Sequence, residues 1–389
     1  MRLNFHGVVN FSAGYQLISC RFFRMVLQII RLLVSFWQKF NHRRQKPESQ
    51  LAIKACFSLF CRKLFSAMDK QERQERLQLV YDEMAKVVVG QKYMINRLLT
   101  GLLTNGHILL EGVPGLAKTL TVNTLAKALN LNFQRIQFTP DLLPADLIGT
   151  MIYNQKTGAF EVKKGPIFAN LVLADEVNRS PAKVQSALLE CMQEKQVTIG
   201  ETTYPLDKPF LVMATQNPVE QEGTYPLPEA QMDRFMMKVY VDYPSKEEEL
   251  EVMRRMSDMQ HTTDVQPVLD KGIAAEISKD INAITISEML ENYIIELVFA
   301  SRKPAEYGLK DEAQYIQFGA SPRATISLHR AARAMAYFNG RDFVLPEDIK
   351  EVAPDVLNHR IILNYEAEAD GINSRQIVDR ILARVAIGK

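Results

Sequence analysis

The stretch that most constrains this chain is HILLEGVPGLAKTLTVNTL, residues 107–125. Its first four residues are a short apolar run of the kind that makes a buried strand. A glycine-bearing turn follows, and then a helical pattern with Leu120, Leu125 and Leu129 on related faces. Strand, glycine turn and a helix opening at Lys-Thr form the context in which backbone N–H groups wrap phosphates and the helix dipole favours their charge. Gly112, Val113, Pro114, Gly115, Leu116, Ala117, Lys118, Thr119 and Leu120 are therefore the candidate phosphate-binding residues. Lys118 would reach the β- and γ-phosphates and Thr119 would hold Mg²⁺. Ala117 stands where the general pattern has glycine. One methyl is tolerable there if φ is negative, because only a positive φ demands glycine. Taken alone, the stretch also reads as a plain strand–helix turn.

Four further stretches sharpen this reading. LVLADE (171–176) is an apolar strand that ends in two carboxylates. Such a strand is how a P-loop ATPase sets a Mg²⁺ partner beside the phosphates. Asp175 suits that role, and Glu176 suits the base that polarises an attacking water. The acids can also be read as caps for the next helix, where Ser180–Pro181 offer N-cap chemistry. That reading explains Ser180 better than it explains the acids. FLVMATQN (210–217) is another apolar strand with a polar end, and Asn217 is suited to orient water or touch the γ-phosphate. PEAQMDRF (228–235) puts Arg234 between an acid and an aromatic, just before the strand-like MMKVYV. In GASPRATISLHRAARAMAYF (319–338), Ser321 and Pro322 read as N-cap and first helical residue. Arg323 then falls in the first turn, against the helix dipole. Singly such residues are common; together and in this order they form a constellation.

On these motifs, residues 68–389 resemble the MoxR family of AAA+ ATPases over essentially their whole length. GVPGLAKT is similar to that family's phosphate loop, in which alanine before the lysine is usual. The resemblance implies an ATPase with ATP and Mg²⁺ as cofactors. In it Asp175–Glu176 form the Walker B pair, Asn217 is sensor 1, Arg234 the arginine finger and Arg323 sensor 2. Val89–Gly90–Gln91 would flank the adenine. It implies an α/β fold, with an AAA+ P-loop αβα core and parallel sheet over 68–242 and a small all-α lid over 243–389. Two inserts of the helix-2-insert clade are implied as well. Residues 139–168 would carry a hairpin around Lys156–Thr157–Gly158, and 196–209 alternate about a Gly-Glu turn like a second hairpin. The resemblance aims such loops toward a central pore. It further implies a cytoplasmic homo-oligomer, a hexameric ring, that activates or matures a client protein complex. A von Willebrand factor A domain partner belongs to that picture. Arg234 would act across the subunit edge on a neighbour's nucleotide.

Charge separates the first 67 residues from the rest. Of 47 Lys/Arg and 45 Asp/Glu, residues 1–67 hold eleven and one, leaving 36 and 44 beyond, a net −8. An acidic body has no global electrostatic reason to bind nucleic acid, which weighs against a nucleic-acid remodelling motor. A non-catalytic nucleotide switch would have no need of Glu176 or Arg234. No N-K-x-D, H-R-D or D-F-G occurs, so neither a GTPase nor a protein kinase fits. Three of the four cysteines lie in the basic segment with no metal or disulfide spacing, in keeping with a reducing compartment. In that segment the run 15–37 is apolar but broken by Arg21, Arg24 and Arg31, which is costly for a spanning helix. Three readings of residues 1–67 stay open. The preferred one is an over-extended start or disordered appendage, because composition changes abruptly at Met68. The others are a basic amphipathic or targeting segment in peripheral membrane contact, and a spanning helix.

Overall fold

The structure, a computed structural model, describes residues 70–113, 115–216, 225–257 and 264–388. Pro114, Asn217 and residues 1–67 lie outside the described residues, and so do the expectations placed on them. Residues Asp69–Lys389 make up one compact unit. It opens with α1 (Lys70–Ala85), α2 (Lys92–Leu103), β1 (Ile108–Glu111) and α3 (Lys118–Ala128). Next come β2 (Phe133–Gln137), α4 (Pro144–Ile148), and a hairpin of β3 (Gly149–Asn154) and β4 (Ala159–Lys164). β5 (Leu171–Asp175) and α5 (Ala182–Glu194) lead to a second hairpin, β6 (Gln196–Ile199) and β7 (Thr202–Pro205). β8 (Leu211–Gln216), the one-turn α6 (Glu229–Met232) and β9 (Met237–Tyr240) complete this part.

Five strands form one parallel sheet in the order β2-β5-β8-β1-β9. The central strands are apolar at nearly every position because both faces are covered. Alternation then sorts side chains between two cores. Ile108, Leu110, Leu171, Leu173, Leu211 and Met213 pack into one core, with the leucines of α2 and α3. Leu109, Val172, Ala174, Val212 and Ala214 pack into the other, with Val184, Leu188 and Leu189 of α5. This ordering seats β8 between β1 and β5, so the C-terminal ends of all three meet at one edge. Open α/β sheets bind ligands there.

Both expected hairpins are present. β3–β4 turns at Gly158 (φ 66°) and β6–β7 at Gly200 (φ 62°). Beyond β9 the chain is helical: α7 (Lys246–Met256), α8 (Lys271–Ala283), α9 (Glu288–Arg302) and α10 (Lys310–Ala313). After β10 (Ile316–Phe318) follow α11 (Pro322–Phe338), α12 (Pro346–Leu357), β11 (Ile362–Leu363), α13 (Tyr365–Ala369) and α14 (Ser374–Arg384). The antiparallel β10–β11 ladder is a short addition to an otherwise helical lid. These helices share the core that contains α2, through Ile277, Leu297, Leu328 and Ile349. Ser321 caps α11 as expected, its Oγ accepting from the Arg323 N–H at 3.2 Å. Ser180 does not cap α5: its Oγ turns back to the Val177 carbonyl at 3.3 Å, and Pro181 takes the cap position. Among the described residues no helix is long and apolar enough to cross a membrane.

His107, at the start of β1, is buried and joins three elements. Its Nδ1 accepts from the Val212 N–H at 3.0 Å and its Nε2 faces the Met192 carbonyl at 3.0 Å, which fixes the neutral imidazole with hydrogen on Nε2. Burial pushes its pKa down to about 4. Buried His359 is shifted in the same direction. An unfolded histidine protonates near 6.5. Below that pH the unfolded chain takes up protons that the fold refuses, so the fold loses stability as pH falls. The expected loss is about 1.4 kcal/mol per pH unit for His107 between pH 6.5 and about 4, with His359 adding to it. Urea midpoints between pH 7.5 and 5 check this, and a His107→Gln chain should show a flatter slope.

Candidate active site

A cavity of about 340 Å³ opens at the shared strand ends. Gly112, Gly115, Leu116, Ala117, Lys118, Thr119 and Leu120 line one side, with Asp175 and Glu176 facing them. The fold therefore brings the two best-marked motifs of the sequence to one place. Gly112 is required sterically: a Cβ there would meet the Val241 carbonyl oxygen at 2.5 Å. Gly115 is required conformationally, with φ 89° and open space around any added Cβ.

Ala117 does not meet the condition under which its methyl would be free of strain. Its φ is 54° and ψ 21°, left-handed rather than negative. A left-handed residue before a helix start is part of the backbone geometry that forms anion-binding nests, and the methyl is carried at a cost of roughly 1–2 kcal/mol. Glu176 (φ 56°) and Gln91 (φ 54°) share the conformation. Among the described residues four are left-handed and neither glycine nor asparagine: Gln91, Ala117, Glu176 and Lys195. Three of these are candidate site residues, so backbone strain is concentrated where function was expected.

The charged groups are already paired. Lys118 Nζ donates to the Gly112 carbonyl at 2.6 Å, bracing the loop it sits in. Burial pulls its pKa below the usual lysine range, while Asp175, Glu176 and Glu111 pull it back up. Asp175 is gripped by Arg135 of β2, through Nε at 3.0 Å and Nη2 at 2.7 Å, and accepts from Thr215 Oγ1 at 2.6 Å. Thr215 Oγ1 also accepts from the Glu176 N–H at 2.8 Å, so one hydroxyl of β8 orders both acids. Glu176 Oε2 takes Gln137 Nε2 at 2.8 Å and Arg179 Nη1 at 3.2 Å. Arg135, Gln137 and Thr215 were not singled out in the sequence. Their only local signal is a polar residue at alternate positions of a strand end.

A second cleft, of about 690 Å³, adjoins the first at Gly112 and is walled by Val113 and Tyr243 on one side and by Asn364, Glu368 and Arg375 on the other. Gln91 Nε2 donates to the carbonyl of Asp242, a residue of this cleft, at 3.4 Å. Val89–Gly90–Gln91 thus approaches the second cleft and does not line the first. Arg234 and Arg323 line neither cavity. Arg234 is exposed, in a concavity with Glu190, Glu194 and Gln231. Arg323 pairs with Asp233, Nη1 to Oδ2, at 3.6 Å. Neither arginine therefore lines the cavity of the chain's own phosphate loop.

Residues 107–237 match the family model of the ATPase family associated with various cellular activities, and residues 309–381 match the AAA lid domain. The chain is 50% identical over 305 residues to the chaperone MoxR1 of Mycobacterium tuberculosis, covering 78% of this chain and 80% of that one. The chain belongs to the MoxR family of AAA+ ATPases. It is similarly 45% identical to the uncharacterised protein YeaC of Bacillus subtilis, over 78% of this chain and 92% of that one. A crystal structure of a candidate ATPase from Cytophaga hutchinsonii superposes with TM-score 0.80 at 70% identity, covering 84% of this chain and all of that one. As a MoxR-family AAA+ ATPase the chain is a nucleotide-binding, ATP-hydrolysing enzyme.

Mg²⁺ fits the donors present. Thr119 and Asp175 offer hard oxygens in one cavity, and among the described residues no cluster of three or more His, Cys, Asp or Glu could hold a metal by itself. Mg²⁺ suits such a site, because it is commonly held by one or two protein oxygens together with substrate phosphates.

Proposed function

We propose that this chain assembles as a ring of identical subunits and spends ATP to remodel or activate a client protein complex. Arg234 and Arg323 of each subunit would complete the neighbour's nucleotide site. The observation that carries this reading is the split within one subunit. The cradle, Asp175 and Glu176 surround one cavity, while Arg323 is paired with Asp233 and Arg234 faces a separate concavity, neither lining it. A P-loop ATPase needs positive charge near the transferred phosphoryl group, and an arginine can arrive from another chain. The name of the Mycobacterium tuberculosis relative, a chaperone, supports a client role.

In this reading the first cavity takes the phosphates and the adjoining cleft takes the nucleoside, beside Val89–Gln91. Lys118 holds the β/γ-phosphates in exchange for its bond to Gly112. Thr119 and Asp175 would hold Mg²⁺, which when bound neutralises phosphate charge. Arg135, which now occupies Asp175, would be released toward the phosphates. Glu176 accepts the proton of the attacking water, with Gln137 and Thr215 fixing its position. Asn217, following β8, is the proposed contact for that water or the γ-phosphate.

Ring assembly has a direct consequence. Activity per subunit should rise with protein concentration in the presence of ATP. Arg234→Ala should bind ATP normally yet lose about a thousandfold or more in turnover. Sedimentation and steady-state rates over a dilution series check both, and concentration-independent activity would argue for a self-sufficient subunit.

A further inference from the structure

Arg234 follows α6, a helix of a single turn, and its side chain is exposed. Neither feature would hold a guanidinium in one place. Its backbone, however, is bracketed from the lid. Asn358, His359 and Arg360 follow the end of α12 and reach across to residues 233–238. Arg360 is almost wholly buried, with 1% of its side chain exposed. A guanidinium has five N–H donors in a fixed plane, and here each donor site is engaged. Nε donates to Asp233 Oδ1 at 2.8 Å. Nη1 donates to the carbonyls of Met236 at 3.0 Å and Val356 at 2.5 Å. Nη2 donates to the carbonyls of Asp233 at 3.1 Å and Phe235 at 2.6 Å.

The two carbonyls on Nη2 belong to the residues immediately before and after Arg234. The neighbours of Arg360 extend the grip. Asn358 Nδ2 donates to the Lys238 carbonyl at 3.0 Å, and His359 Nε2 lies 3.1 Å from the Phe235 carbonyl. Asp233 is held a second time, by Ser321 Oγ at 2.8 and 2.9 Å, beside Arg323. Lid and core are joined elsewhere by a separate buried pair, Arg97 Nε to Asp355 Oδ2 at 2.7 Å. Mere attachment of the lid therefore does not require a five-donor fork centred on Arg234.

From this geometry we infer that Arg360 is a positioning residue for Arg234. It fixes the backbone on both sides of the finger and so sets the rate at the neighbouring subunit's nucleotide, while leaving ATP affinity at its own cradle unchanged. This rests on the reading of Arg234 as acting between subunits. Lysine is no substitute. Its three donors sit at one point and cannot span five acceptors, so at least two go unfilled. Misplacement by about 1 Å can cost on the order of a hundredfold in rate.

The test is Arg360→Lys in the full-length chain, with ATP affinity, kcat and mixing read together. ATP affinity should stay within about threefold while kcat falls by about a hundredfold. Mixed with Lys118→Ala subunits, which keep an intact finger, the Arg360→Lys chain should regain activity. Mixed with Arg234→Ala subunits it should regain none, because neither partner presents a finger in place. The control is Lys118→Ala with Arg234→Ala. If the control recovers and Arg360→Lys with Lys118→Ala does not, Arg360 serves its own cradle or fold and the inference fails. Recovery with Arg234→Ala would overturn it equally. A dead control overturns the trans reading, and this inference with it. Should Arg360→Lys not fold, Asn358→Ala leaves the Arg360 fork in place and releases the Lys238 carbonyl and the contact of Asn358 Oδ1 with His359 Nδ1. It should lower kcat several-fold with the same mixing pattern, and an unchanged kcat would contradict the inference.

Discussion

Glu176→Gln should bind ATP as tightly as the parent chain and hydrolyse it about a hundred to ten thousand times more slowly. The amide keeps the size of the carboxylate and can still accept from Gln137 and Arg179, whose contacts are both on Oε2. What it cannot do is take the proton of the attacking water. The main-chain tie from the Glu176 N–H to Thr215 is untouched, so the left-handed turn should persist. Nucleotide titration and phosphate release separate the two effects. Wild-type turnover would assign the base to another residue, whereas loss of binding would show that Glu176 shapes the cradle.

Lys118→Ala should abolish useful ATP binding. A charge-assisted contact of this kind is worth about 1.5–3 kcal/mol, or roughly ten- to over a hundredfold in affinity. The surroundings add to the loss. Without the ammonium, a polyanionic nucleotide approaches Glu111, Asp175 and Glu176, the carboxylates that pull on the Lys118 pKa. The carbonyl of Gly112 also loses its partner, so the loop itself should loosen. Isothermal titration with a non-hydrolysable nucleotide reads the affinity directly, and an unchanged value would remove the phosphate role from this loop.

What could be read in the chain divides along a physical line. The cradle, Asp175 and Glu176 are marked locally, because a strand, a glycine turn and a helix start lie within a dozen residues. The two hairpins are equally local, each set by alternation about a glycine. The conformation of Ala117 is not marked, since nothing in an alanine codes for a positive φ; the turn around it imposes one. Arg135 and Thr215 acquire meaning only because β2 and β8 flank β5, a pairing across 40 residues. Arg323 is legible as a first-turn arginine, yet its carboxylate partner, Asp233, is supplied by a distant loop. Arg360 carried no signal at all. Its partners are mostly backbone carbonyls more than a hundred residues away, and no sequence pattern records those.

Mixing two inactive chains decides whether the nucleotide site is shared between subunits. In the proposed ring, Lys118→Ala would lack a working cradle but keep Arg234, and Arg234→Ala would lack the finger but keep the cradle. In a ring of head-to-tail interfaces, random equal mixing pairs an intact cradle with an intact finger at about a quarter of the interfaces. Activity of that order, absent from either chain alone and appearing only after subunits exchange, is the expected result. A mixture that stays at the sum of its inactive parts, with exchange demonstrated, would mean that each subunit hydrolyses ATP with its own residues alone.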